Sequence, residues 1–140
     1  MHSPSSQFQF IQVGCGLIGK KRALALSHIP NAKLRYACDI DFTKAKELAS
    51  NNPGCEAKDF ATALQDPNVS AVFISTLNGS LVPLALLAVK AGKHVMLEKP
   101  GALSSDELRL LESEANKTDA KVRLSYNHRC LLYTSDAADE

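Results

Sequence analysis

Short apolar runs alternate along this chain with stretches of helical period. The segments FIQV, LRYAC, AVFIS, HVML and VRLSY combine β-branched, aromatic and aliphatic residues in runs too short for helices and bounded by turn residues, as buried strands do. The pattern predicts strands over 9–13, 34–38, 55–58, 71–75, 94–97 and 122–126, the third of them short. The intervening segments place apolar residues three and four apart and predict helices over 17–29, 43–51, 59–65, 80–91 and 105–118. Ser104 or Ser105 is expected to cap the last helix, with acids in its first turn where the helix dipole favours them. Six strands joined by five helical crossovers predict the α/β class: a doubly wound parallel sheet of about six strands in a single domain, with right-handed connections. Residues 1–7 are expected to form a flexible leader.

Composition narrows the class without changing it. A chain of 140 residues is one domain by length and buries roughly two thirds of its unfolded surface on folding. Hydrophobic residues at 45%, aromatics at 6% and the lack of tryptophan suit an aliphatic α/β interior better than a β-sandwich. The net charge of +1, with no Lys/Arg cluster interleaved with aromatics, argues against a nucleic-acid partner. MHSPSSQFQF has neither the basic start nor the apolar run of a signal peptide, and no window approaches the roughly 18 apolar residues of a membrane span. A cytoplasmic protein with no membrane partner is expected. Cys15, Cys38, Cys55 and Cys130, with His2, His28, His94 and His128, show no metal-ligand spacing, so free reduced thiols and no metal site are expected.

The chemistry begins at VGCGLIG. Gly14, Gly16 and Gly19 form GxGxxG between an apolar strand run and an apolar-periodic helix. Gly14 makes the tight turn, Gly16 lets backbone approach a pyrophosphate, and Gly19 allows close helix–sheet packing. Leu17 and Ile18 then open a helix whose free N–H groups face the anion. The same residues also read as GxxxxGK from Gly14 to Lys20, but a P-loop needs a hydroxyl next and position 21 is Lys21, and the run SAVFIST ends without a magnesium-binding Asp. Asp39 lies 20 residues after Gly19, where a carboxylate accepts hydrogen bonds from an adenosine ribose and repels a 2'-phosphate. NAD is therefore favoured over NADP, against two opposing considerations: Asp39 also suits a turn or helix cap, and Lys44 or Lys46 nearby softens the discrimination. At the other end of the chain a strand runs directly into Glu98-Lys99-Pro100. Ligands of open α/β sheets bind beyond the carboxyl ends of the strands, so Lys99 is placed to contact nicotinamide ribose and substrate and to move a proton, with Glu98 orienting it. Taken alone, a strand-end lysine is more often merely solvated.

VGCGLIG, AGKHVMLEKPGA and YNHR, in this order and spacing, resemble the N-terminal domain of the glucose-fructose oxidoreductase, inositol dehydrogenase and rhizopine-catabolism (Gfo/Idh/MocA) family over residues 8–129. The resemblance implies a dinucleotide held by Gly14, Gly16, Gly19 and Asp39, with Lys99 between nicotinamide and substrate. It implies further that Thr76 and Asn78 lie along the cofactor, and that Asn127, His128 and Arg129 edge the substrate pocket. The family often has Thr-Pro-Asn and then a His three residues on, where this chain has Thr76-Leu77-Asn78 and Leu81. Tyr126 is followed four places later by Cys130, which excludes the Tyr-x-x-x-Lys of short-chain dehydrogenases.

The function expected is the NAD-binding domain of an oxidoreductase that moves hydride between a sugar or cyclitol hydroxyl and nicotinamide. The family's second domain, which supplies a catalytic His and the oligomer contacts of a homo-oligomeric parent, has no counterpart here, so the fragment is expected to be inactive alone. A non-catalytic dinucleotide-binding sensor or assembly module is the alternative, and a methyltransferase-like domain binding S-adenosylmethionine is a third. The last stretch, CLLYTSDAADE at 130–140, departs from the family pattern immediately after Arg129 and resembles the translation of a transposon-end sequencing adapter. It is expected to be a non-native tail, although Asp-Ala-Ala-Asp-Glu also favours helix weakly. Sequencing the source genome across the codon for Arg129 should show an open frame entering a second α/β domain, and a stop codon after an encoded Glu140 would defeat the proposal.

Overall fold

A computed structural model of the chain describes residues 8–76, 78–98 and 104–125, with backbone alone for residues 78–80, 98, 124 and 125. Its elements are β1 (Phe8–Val13), α1 (Leu17–Ser27), β2 (Ala32–Cys38), α2 (Phe42–Ser50), β3 (Glu56–Ala57), α3 (Phe60–Leu64), β4 (Val69–Ile74), α4 (Asn78–Lys90), β5 (His94–Glu98), α5 (Ser105–Ala115) and β6 (Val122–Ser125). The strands form one sheet in the order β3-β2-β1-β4-β5-β6 with every neighbouring pair parallel. The order reverses between β1 and β4, which is the switch point where doubly wound sheets bind ligands.

Alternation of side chains along each strand feeds two apolar layers. On one face Ile11, Val13, Val72, Ile74, Val95 and Leu97 pack with Leu81, Ala85 and Val89 of α4 and Leu111 of α5. On the other, Phe10, Leu34, Ala37 and Ala71 pack with Ala23 of α1 and with Ala45 and Leu48 of α2. Coverage of both faces explains why the strands read as nearly unbroken apolar runs.

The predicted boundaries shift for local reasons. Helix α1 stops at Ser27 because His28 N–H and Ile29 N–H donate three residues back, to Ala25 O and Leu26 O, and Asn31 then turns the chain at φ 69°. Helix α5 stops at Ala115 because the Thr118 hydroxyl donates to Ala115 O and accepts from Ala120 N–H, which redirects the chain into β6. Ser104 is the residue that caps α5. Its hydroxyl accepts from Glu107 N–H while the Glu107 carboxylate accepts from Ser104 N–H. The leader and the 130–140 tail lie outside the described residues.

At the amino ends of the strands, three segments are tied through Asp66. Its carboxylate accepts from the Tyr36 hydroxyl at 2.7 Å and from Asn68 N–H at 2.9 Å, and these bonds, Asn68 first, hold it below the usual carboxylate range. Lys93, from the AGKHV string, is buried and donates to Asp66 O and Val69 O, both at 2.8 Å. Burial pulls its ammonium below the usual lysine range, with the Asp66 charge opposing. The first lysine of that string therefore joins the α4–β5 turn to the α3–β4 turn. Lys93→Met keeps the stem but takes a donor from each of two carbonyls, of which Asp66 O keeps Val69 N–H at 3.1 Å, so chemical denaturation should show a loss of about 1–3 kcal/mol. A loss below about 0.5 kcal/mol would show that the ammonium contributes nothing net.

Candidate dinucleotide-binding site

The carboxyl ends of β1, β2 and β4 meet around the glycine loop. Gly14 N–H donates to Cys38 O at 2.9 Å and Ser75 N–H donates to Val13 O at 2.8 Å, so the ladder continues past all three strands. Gly14 sits at φ 91°, a region that disfavours any side chain, and a Cβ there would also collide with the Ser75 carbonyl. A Cβ at Gly19 would collide with the carbonyl of Gly14. The backbone of α1 thus rests on the turn it grows from, which is the close packing expected of the third glycine.

Gly16 behaves differently. It is extended at φ −81° and ψ −156°, and a Cβ built there meets nothing within 4 Å. Neither the fold nor the backbone angle requires glycine at this position. Gly16 is also the N-cap of α1, with no side-chain cap and no acid in the first turn. Open space above an uncapped helix start suits a phosphate group. Leu17 and Ile18, 69% and 43% exposed, flank that space.

Asp39 is half-buried beside the loop and bonded to it. Its Oδ2 accepts from Cys15 N–H at 2.8 Å and its Oδ1 from Asp41 N–H at 2.8 Å. The helix cap is Asp41, which accepts from Thr43 N–H at 3.0 Å, so Asp39 serves the turn but not the cap. Each Asp39 oxygen keeps acceptor capacity, so a ribose diol can be added without breaking the existing bonds. Lys46, a neighbouring cation, lies over the Phe42 ring at 5.5 Å. No feature of the sequence pointed to Ile40, which is 100% exposed between Asp39 and the start of α2 and therefore offers an uncovered apolar surface beside that carboxylate. Full exposure of an isoleucine carries no sequence signal.

Cysteine chemistry is absent from this corner. Cys15 is buried and its Sγ donates to Cys38 O at 3.4 Å, and burial followed by the Asp39 charge pushes its pKa up to about 12. The Cys38 thiol is pushed up further by burial, and that of Cys55 to about 11. These are neutral thiols at physiological pH. Among the described residues no group of His, Cys, Asp or Glu side chains could hold a metal ion, and no helix is long and apolar enough to cross a membrane.

Thr76 stands one residue past the end of β4, its methyl 3.1 Å from where a Gly14 Cβ would stand. Asn78 is the first residue of α4 and Glu98 the last of β5, paired in register with Ser125 of β6. Strand spacing puts the ends of β2 and β5 about 14 Å apart, the reach of an extended dinucleotide. The backbone therefore brings Gly14, Gly16, Gly19, Asp39, Thr76, Asn78 and Glu98 to one edge. Lys99, Asn127, His128 and Arg129 lie outside the described residues, as do the side chains of Asn78 and Glu98.

This fold and edge are shared with known proteins. The model of the Gfo/Idh/MocA family, described as an oxidoreductase family with an NAD-binding Rossmann fold, matches residues 8–127. The inositol 2-dehydrogenase of Rhizobium meliloti is 30% identical over 121 residues, covering 86% of this chain and 36% of that protein. An NAD-binding protein from Listeria innocua superposes with a TM-score of 0.81 at 30% identity, covering 89% of this chain and 36% of the other. GenD2 from gentamicin A biosynthesis, solved in complex with NAD, gives 0.81 at 27% identity over 86% and 34%. The chain thus spans little more than a third of the length of the relatives it matches.

The two glycines separate packing from binding. Gly19→Ala should lower stability by about 2 kcal/mol or more, because the atom it meets is backbone. Gly16→Ala should leave thermal stability unchanged or slightly raised yet weaken NAD by about tenfold or more in a calorimetric titration. Unchanged NAD affinity in Gly16→Ala would remove the phosphate from this loop.

Proposed function

The chain belongs to the Gfo/Idh/MocA oxidoreductase family, and from that premise we propose that it is the NAD-binding part of a dehydrogenase acting on a sugar or cyclitol hydroxyl. The carrying observation is the Asp39 carboxylate hydrogen-bonded to the N–H of Cys15 within the glycine loop, which puts a negative charge and spare acceptor capacity where a ribose diol belongs. A 2'-phosphate would meet that charge, so the reading is NAD over NADP. Ile40 would cover one face of the adenine. Leu17 and Ile18 flank the pyrophosphate at the start of α1, with Thr76 and Asn78 along the far half. The substrate class is drawn from the inositol dehydrogenases among the relatives.

Nicotinamide supplies the hydride acceptor when bound, and the protein supplies position and a proton path. Lys99 follows the last residue of β5 and takes the hydroxyl proton, with Glu98 orienting it and Asn127, His128 and Arg129 bordering the substrate. A longer parent provides the remaining substrate contacts in a second domain, through which it forms a homo-oligomer, and works in the cytoplasm. The 140 residues alone are then a binding unit without turnover, with the 130–140 tail contributing nothing to the site.

Calorimetric titration of the chain with NAD, NADP and S-adenosylmethionine tests the cofactor: NAD should bind, NADP should bind at least about tenfold more weakly, and S-adenosylmethionine not at all. Tighter NADP binding would overturn the role of Asp39. In a longer parent, Lys99→Ala should cut kcat/KM for a polyol substrate by about 10² to 10⁴. A parent that binds NAD but oxidises no polyol would instead be a sensor or assembly module.

A further inference from the structure

Gln12 is fully enclosed in the middle of β1, and with Lys93 it is one of two buried polar or charged side chains among the described residues. Its strand neighbours in register are Ala37 and Phe73, so the sheet around it is apolar. The side chain reaches beneath the glycine loop. Nε2 lies 3.1 Å from Gly14 O, 3.2 Å from Val13 O and 3.1 Å from the Ser75 hydroxyl, and 3.3 Å from the place a Gly19 Cβ would take. Its Oε1 is buried with no hydrogen-bond partner among the described residues.

A residue present for stability alone would not leave that oxygen unpaired, because an apolar side chain of similar volume removes the desolvation cost and fills the same space. What the amide does accomplish is geometric. It donates to the carbonyl of Gly14, and so constrains the peptide plane that this carbonyl shares with the Cys15 N–H, the group that donates to Asp39 at the start of the loop. It also tethers that carbonyl to Ser75, the residue between β4 and Thr76. We infer that Gln12 is a positioning residue for dinucleotide binding, holding the loop under the pyrophosphate in register with the β4 end that runs along the nicotinamide half. The inference rests on the dinucleotide reading above and extends it to a residue outside the binding surface.

The test uses the 140-residue chain and the variants Gln12→Met, which keeps length without a donor, and Ser75→Ala, which removes the far tether. ADP-ribose binding is measured by calorimetry, AMP binding by NMR titration, and the melting temperature of each variant by circular dichroism. Gln12→Met should melt at or above wild type, bind ADP-ribose about 3- to 10-fold more weakly, the range of one lost neutral hydrogen bond, and bind AMP as wild type does. Ser75→Ala should weaken ADP-ribose on its own and add little in the Gln12→Met background. If Gln12→Met does not fold, Ser75→Ala alone decides, and its unchanged ADP-ribose affinity would overturn the inference. A folded Gln12→Met that binds ADP-ribose as wild type does, or loses ADP-ribose and AMP equally, would also overturn it. Wild-type chain that binds neither ligand would remove the dinucleotide reading itself.

Discussion

The site depends on a contact between two pieces of backbone. Helix α1 begins so close to the end of β1 that the carbonyl of Gly14 occupies the place of a side chain at Gly19. That contact aims the N-terminus of α1 at the strand ends. Gly14 makes the reciprocal approach to Ser75, in a conformation that only glycine adopts readily. Once both approaches are made, the direction of the loop is settled by sterics, and what remains is to satisfy its polar groups.

Two polar side chains do this in different ways, and a third does similar work elsewhere. Asp39 accepts from the loop while each of its oxygens keeps acceptor capacity to spare. Gln12 works from below and is unavailable to a ligand. Lys93 lies at the opposite end of the sheet and satisfies two carbonyls of the α3–β4 turn, far from the binding edge. The first lysine of the AGKHVMLEKP string is thus enclosed at the entry to β5 and serves the fold.

A chain spanning little more than a third of the length of its relatives still forms the six-stranded doubly wound sheet with its glycine loop. This follows from the architecture. Binding in a doubly wound sheet is local to the switch point, and here the loop after β1, the acid after β2 and the turn after β4 all come from the first 80 residues.

Much of this was legible in one dimension, because the signals were local. Alternating apolar runs and helical periods located the six strands and five helices of the described residues, and GxGxxG with an acid 20 residues on located the loop and the carboxylate that bonds to it. Element ends were less legible, since α1 and α5 stop where turn hydrogen bonds outcompete the next helical bond. Tertiary structure alone decided the rest. Glycine spacing could not tell that Gly14 and Gly19 are required by backbone collisions while Gly16 is not, because the atoms they meet, or fail to meet, come from elsewhere in space. Neither Gln12 nor Lys93 carries a local sequence signal for what it does. Each acquires its role from acceptors that the crossover connections bring to it, Ser75 lying 63 residues from Gln12 and Val69 lying 24 from Lys93.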